Sequence, residues 1–377
     1  MSKKGNIKHR NLWHWKRSPL PWTVLIVGIG LVLLGVRLVL PHFVQHYANK
    51  VLNRSKTYAG HIGHVTMHLW RGAYEIDDIN ITKRNGKVPA PFFSAKSLDL
   101  SLQWDALFHG KFVSKIKIKS PDLNFVQGPT PEQSQKGTEH NWGDTLSSLV
   151  PFKINELVVT NGQIHFKNPT SNPPVDIWVD KLFAVATNFG NARNVKQELP
   201  AGVMATGRTL GKGEFNFNAR VNPIAKTPTF QMSGQLTNVD MVELNPFMKA
   251  YGKFTVAKGG FAFFTSFAAK DNKYDGYVKV LFTNLKVFSL EKEEKSRDPL
   301  QAFWDMIVGS VKSILKNQPH DQLATKIPIT GEFKNTDIHI WPTIQNLLQN
   351  AFVRALTPKQ DKPVTIHNAE QVQPPAK

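Results

Sequence analysis

The chain contains no cysteine. That excludes a disulfide framework, a thiol nucleophile and a lipid-modified cysteine. Acidic residues are missing from the first 74 positions. Glu75 is the first, whereas Lys3, Lys4, Lys8, Arg10, Lys16 and Arg17 crowd the start. Also missing are a Gly-x-Ser-x-Gly elbow, a phosphate-binding loop and zinc-type His or Cys spacing. Three common routes to hydrolytic or nucleotide chemistry are thereby closed.

What the sequence does have is one long apolar run, Trp22 to Leu40, with Arg37 as its single charge. Nineteen residues at about 1.5 Å each reach roughly 28 Å, close to the ~30 Å hydrocarbon core. Thirteen of them are Leu, Ile or Val. These contribute roughly −4 to −8 kcal/mol to insertion, against about 3 kcal/mol for a mid-bilayer arginine. Arg37 lies one turn from Pro41, within snorkelling distance of the interface. The basic start predicts a cytoplasmic N-terminus, with Trp13, Trp15 and Trp22 at the interface. A cleaved signal peptide is the rival reading, but the run is long for one and no Ala-x-Ala site follows it.

The net charge is +19. Seven of the 47 Lys and Arg lie at or before Arg37; the forty that follow face 28 Asp and Glu, leaving +12. A basic surface suits anionic lipid headgroups or a polyanion. No nucleic-acid recognition motif is present.

Beyond the anchor, period-2 alternation dominates. Leu98, Leu100, Leu102 and Trp104 share a face, as do Phe215 and Phe217. Phe230, Met232, Gly234 and Leu236 form another row, and Phe261, Phe263, Thr265 and Phe267 a third. Val278, Val280 and Phe282 continue the pattern. Such rows predict antiparallel strands with one apolar and one polar face. Asn85-Gly86, Asn161-Gly162, Lys258-Gly259-Gly260 and Tyr274-Asp275-Gly276 supply turn chemistry between them. Gly110–Val126 and Val150–Phe166 echo one another loosely, too loosely for a solenoid repeat.

Two amphipathic helices are predicted near the end, one opened by Asp298-Pro299 and one by Trp341-Pro342 and closed before Pro358. A shorter helix is expected from Phe43 to Ser55. Segments 128–141, 171–174 and 195–202 read as loops. The resulting organisation is a basic N-terminus (1–21), an anchor (22–40), a β-rich domain (41–356) and a tail (357–377).

The segments Tyr58-Ala-Gly, Leu69-Trp70-Arg71-Gly72-Ala73-Tyr74, Pro91-Phe92-Phe93, Leu98 to Trp104 and Val239-Asp240 to Asn245 form a recognisable series. With Ala250-Tyr251-Gly252, Ile327 to Gly331 and Asn350 to Leu356, the chain resembles the AsmA-like envelope proteins, the nearest branch being a domain of unknown function numbered 748. The resemblance implies a Gram-negative inner-membrane protein with a periplasmic curled sheet whose apolar inner face carries phospholipid acyl chains. A dozen strands stack to roughly 60 Å, so one copy is too short to bridge two membranes.

The candidate acyl-chain surface is therefore Phe215, Phe217, Phe230, Met232, Phe261, Phe263 and Phe267. The same residues would equally fill an ordinary core; the difference lies in whether a second layer or a lipid faces them. The C-terminal helices pose the same choice, packing on the sheet or lying on a bilayer. Expected partners are membrane lipid and an envelope protein. No cofactor is expected. His61, His64 and His68 are the most metal-like cluster, but no carboxylate completes a site. Asp77-Asp78 and Glu291–Glu294 are dense acidic spots without a convergent geometry for acid–base work. An enzyme is not expected.

Overall fold

A computed structural model describes residues 20–68, 72–102, 114–137, 139–140, 142–149, 154–189, 197–223, 225, 227–252, 254–290 and 322–333. The two C-terminal amphipathic helices, the tail, Glu291–Glu294 and Trp104 lie outside these residues.

The apolar run folds as expected, into one helix long and apolar enough to cross a membrane. The helix does not stop near Leu40, however. It continues as α1, Leu20–Leu52, with Pro41 inside it. The separate helix expected from Phe43 is its second half. A proline lacks the N–H that would bond the carbonyl four residues back, here that of Arg37. The next carbonyl, Leu38 O, receives the His42 ring nitrogen at 3.2 Å.

After α1 the chain forms one sheet. Its strands are β1 (Tyr58–His61), β2 (Val65–His68), β3 (Ala73–Lys83), β4 (Phe93–Leu102), β5 (Ser114–Val126), β6 (Ile154–Asn168) and β7 (Val175–Thr187). They continue as β8 (Ala201–Thr209), β9 (Gly213–Val221), β10 (Phe230–Asp240), β11 (Phe254–Lys270), β12 (Lys273–Leu290) and β13 (Gln322–Glu332). From β3 onward each strand pairs with the next in sequence; β1 and β2 lie end to end against β3.

The pairing is antiparallel except between β5 and β6. These are the two echoing segments, and they lie side by side in parallel, Lys119 opposite Thr160 and Phe125 opposite Phe166. A parallel pair needs a crossover. Here it carries α2, Trp142–Leu149.

A transverse line of left-handed residues crosses the sheet. Asp78, Ser120, Asn161 and Lys181 have φ between 47° and 53°, and Asn238 and Asn284 repeat the feature on β10 and β12. By register Ser120 neighbours Asn161, whose Nδ2 donates to Ser120 Oγ at 3.1 Å. Short polar side chains tolerate this conformation best. At such a left-handed residue the side-chain alternation slips by one. Ile76 and Ile79 thus reach one core, as do Ile118 and Leu123. Leu236 with Val239, and Phe282 with Leu285, do the same in a second.

The first core lies between β1–β5 and the helices. Ala48 and Leu52 of α1 pack on Tyr58, Ile62, Val65, Ile79, Ile81 and Phe92. Trp142 stacks on Phe92 with centroids 5.1 Å apart. Segment 128–141 is not the plain surface loop its composition suggests. Gln135 is fully buried, its backbone bridges Val126 and its Nε2 donates to Asn124 O at 2.9 Å. Lys83 Nζ donates to Pro131 O at 2.9 Å and to Ser134 O at 2.5 Å. Tyr58 donates to Glu139 at 3.0 Å. Burial, reinforced by the Glu139 charge, pushes the Tyr58 hydroxyl well above its ordinary value. Burial alone would raise Glu139 too. Its backbone bonds, the Tyr58 hydroxyl and nearby Lys83 outweigh that and hold the carboxyl low.

Candidate functional site: the apolar face of β8 to β13

The second core is the surface the phenylalanine rows predict. All seven residues fall on one face of β9, β10 and β11. Phe215 stands opposite Leu236, Phe217 opposite Gly234, and Phe230 opposite Val221. Met232 meets Phe267, Leu236 meets Phe263 and Val239 meets Phe261 across the next ladder. β12 continues the face, with Val280 beside Phe263 and Phe282 beside Phe261. Thr265 interrupts the row chemically, but its hydroxyl donates to Tyr277 O at 3.1 Å, so no bare polar group results.

Burial along this face is uneven. Phe230 and Phe267 are fully covered and Met232 nearly so. At the other end Met241, Leu244, Met248, Phe254 and Val256 are buried too. Between them Phe215, Phe217, Leu236, Phe261 and Phe263 are only half-buried. The seven expected residues thus divide into filled core (Phe230, Met232, Phe267) and partly open surface (Phe215, Phe217, Phe261, Phe263). Glycine makes one close contact feasible. A Cβ on Gly276 would sit 2.2 Å from the Phe267 ring and 2.4 Å from Ser266 O, so only glycine lets that ring lie on β12.

The expected one-sidedness fails on β11 and β12. On the opposite face Ser266, Ala268, Tyr277 and Lys279 are buried as well. Lys279 lies over the Phe264 ring at 5.6 Å and Lys326 over Tyr277 at 4.4 Å. Long aliphatic stems let these lysines cover aromatic surface.

One feature at the end of this face carries no functional signal in the sequence. The β10–β11 connection forms a short helix, Asn245–Phe247, followed by a wider turn, Met248–Gly252. The Asn245 side chain clamps the Val256 backbone through bonds of 2.8 and 3.0 Å. Tyr251 reaches strands far along the sheet. Its hydroxyl accepts from Asn168 Nδ2 at 2.7 Å and donates to Gln127 Oε1 at 3.1 Å. Phe247 and Phe166 flank its ring at 5.0 and 6.5 Å. Asn245-Pro246 is a legible helix opening; the partners of Tyr251, 83 and 124 positions away, are not.

The other candidates do not converge. His61 is on β1, His68 ends β2 and His64 lies between. Among the described residues no three His, Asp or Glu side chains are grouped to hold a metal. Asp78 takes one of the left-handed positions, and the Asp77 backbone bonds Gly63 and His64. The acidic pair therefore has a local backbone role.

The outer face of β7 and β8 carries an apolar patch. Phe183 is 43% and Met204 49% exposed. Beside them an open concavity of about 430 Å³ is lined by Val185, Asn218, Arg220, Gln231 and Ser233 among others. No protein-family model matches the chain, and comparison with characterised proteins gives no match.

Proposed function

We propose that this chain is a non-enzymatic, membrane-anchored protein that handles lipid in a bacterial envelope, holding acyl chains against the β8–β13 face. In this reading α1 crosses the inner membrane with a cytoplasmic N-terminus, and the sheet lies in the periplasm. The observation that carries it is the half-buried aromatic stretch, Phe215, Phe217, Phe261 and Phe263, set between two filled ends of the same face. Each methylene covered there contributes about 0.8 kcal/mol, so eight give roughly 6 kcal/mol without polar recognition.

A curled sheet is part of this reading, and the Tyr251 bonds support it. In a flat stack β11 and β5 lie six steps apart, about 29 Å. Tyr251 precedes β11 by three residues, which reach at most about 11 Å. A tyrosine and a glutamine side chain do not close the remainder unless the sheet bends toward itself. The stack of about 53 Å keeps one copy from joining two membranes.

The test is a photoreactive residue at Phe217 or Phe263 of the full-length chain in cells. Lipid adducts at both sites are expected, with few at an outer-face control such as Lys117. Absence of lipid at both overturns the reading. A second reading, a periplasmic scaffold for another envelope protein, draws on the exposed Phe183–Met204 patch. Protein adducts at Met204 with no lipid at Phe217 would favour it.

A further inference from the structure

A five-residue turn joins α1 to the sheet, and the bonds between helix and strand define a direction. Asn53 Nδ2 donates to Gly60 O at 2.7 Å, and Asn49 Oδ1 accepts from Ile62 N at 2.8 Å. Gln45 Nε2 donates to Gly63 O. From Asn53 to Gln45 the helix retreats eight residues, about 12 Å. Its partners advance three residues, roughly 10 Å along the strand. Helix and strand therefore run antiparallel, side by side. Moving along β2 from Gly63 to His68 means moving back toward the apolar end of α1.

That apolar end is close. Phe43, 65% exposed, is the last of the strongly exposed large apolar residues of α1. Gln45, already bonded to the sheet, is about 3 Å further on. The same level is reached several strands away. Tyr47 donates to Ser148 O at 3.2 Å, near the end of α2, and β6 starts six residues later. By register the ends of β2, β3, β4, β5, β6 and β7 that lie on this side are His68, Ala73, Leu102, Ser114, Ile154 and Thr187. Just past Thr187, Phe189 is exposed, and the Asn188 amide before it bonds Asn155 O at 2.7 Å. The opposite strand ends have polar, proline-rich turns at 84–91, 127–133 and 169–174.

We propose that this row of strand ends is a membrane-contacting rim, seated in the headgroup layer of the bilayer that α1 crosses. The stack of strands then lies along the membrane surface and does not stand away from it. A lipid would leave the leaflet sideways across the rim. The proposal rests on the anchored reading of α1 and is independent of whether the apolar face holds lipid.

The absence of native cysteine allows single nitroxide labels on the full-length chain. Ile29→Cys, Phe189→Cys and Lys87→Cys are each reconstituted in phosphatidylethanolamine–phosphatidylglycerol vesicles, with Asn188→Cys as a second rim site. Depth is read from relaxation by oxygen against a water-soluble nickel chelate. Ile29 is expected in the hydrocarbon, Phe189 and Asn188 at headgroup depth, and Lys87 in water. An upright stack instead puts β7 four steps from β3, about 19 Å further from the bilayer. If Ile29 lies in the hydrocarbon and both rim labels are as water-accessible as Lys87, the rim proposal is wrong and the anchor stands. If Ile29 is itself in water, the anchored reading fails and takes the rim with it.

Discussion

Replacing Tyr251 by Phe removes one oxygen atom and two hydrogen bonds that join distant parts of the sheet. The ring stays, with Phe247 and Phe166 as its neighbours. The bond to Gln127 is neutral and part-buried, worth about 1 kcal/mol net. Asn168 is buried, so its amide loses an acceptor where water does not readily replace it, adding about 1–2 kcal/mol. The sum, about 2–3 kcal/mol, corresponds to roughly a 30- to 150-fold rise in local opening of the β10–β11 connection. Hydrogen exchange reads this directly. The Met248 amide, bonded to Leu244 O at 2.8 Å, and the Val256 amide, held by Asn245, should lose protection by that factor. Amides of the β8–β9 ladder should not change. Unaltered exchange at Met248 and Val256 would refute the view that Tyr251 braces this end of the sheet. Equal losses everywhere would show that its role is not local.

Other positions give sharper steric and electrostatic tests. Asn161→Val puts a β-branched residue at φ 53° and should cost at least about 1–2 kcal/mol, whereas Asn161→Gly should stay within about 1. Midpoints of urea unfolding for the two variants in detergent compare them. Gly276→Ala drives a methyl into Phe267 and a backbone oxygen, and should lower that midpoint by an amount equivalent to about 1–3 kcal/mol of stability. A silent Gly276→Ala would mean the contact relaxes freely. Glu139 has a depressed folded-state value, so its stabilisation is present above its ordinary value of 4.5 and is lost as pH falls below it. Protection of the Val126 and Gln135 amides should therefore weaken below about pH 4.5 after correction for intrinsic rates, and Glu139→Gln should flatten that dependence.

The strands and their faces were largely legible. The Phe215–Phe217, Phe230–Met232 and Phe261–Phe267 rows landed on one face because period-2 alternation maps directly onto a pleated sheet. The slips were harder to read. Ile76 to Ile79, Leu236 to Val239 and Phe282 to Leu285 are spaced by three, which breaks alternation and looks like noise. Each spacing sits beside a left-handed residue, Asp78, Asn238 or Asn284, where the pleat slips. Pro41 misled in the opposite sense. Proline usually ends a helix, yet here α1 is held on both sides of it, by its apolar run before and by the sheet after. The burial of Gln135 and the reach of Tyr251 depend on partners distant in sequence, and local pattern carries no information about those. The parallel pairing of β5 and β6 was present in the sequence as an echo, without a sign of which strand lay beside which.

The strand order has a consequence for how the chain assembles. From β4 onward every strand finds its partner among residues already made, and all but one of those partners is the strand just before it in an antiparallel ladder. Such a sheet can lengthen one strand at a time as synthesis proceeds, mostly over short connections, although β13 follows 31 residues after β12. The exception is β6, which must wait for a crossover of some two dozen residues and the docking of α2. Until then β5 presents an unpaired edge of 13 residues. Such an interval leaves a nascent chain open to chaperone capture or to mispairing.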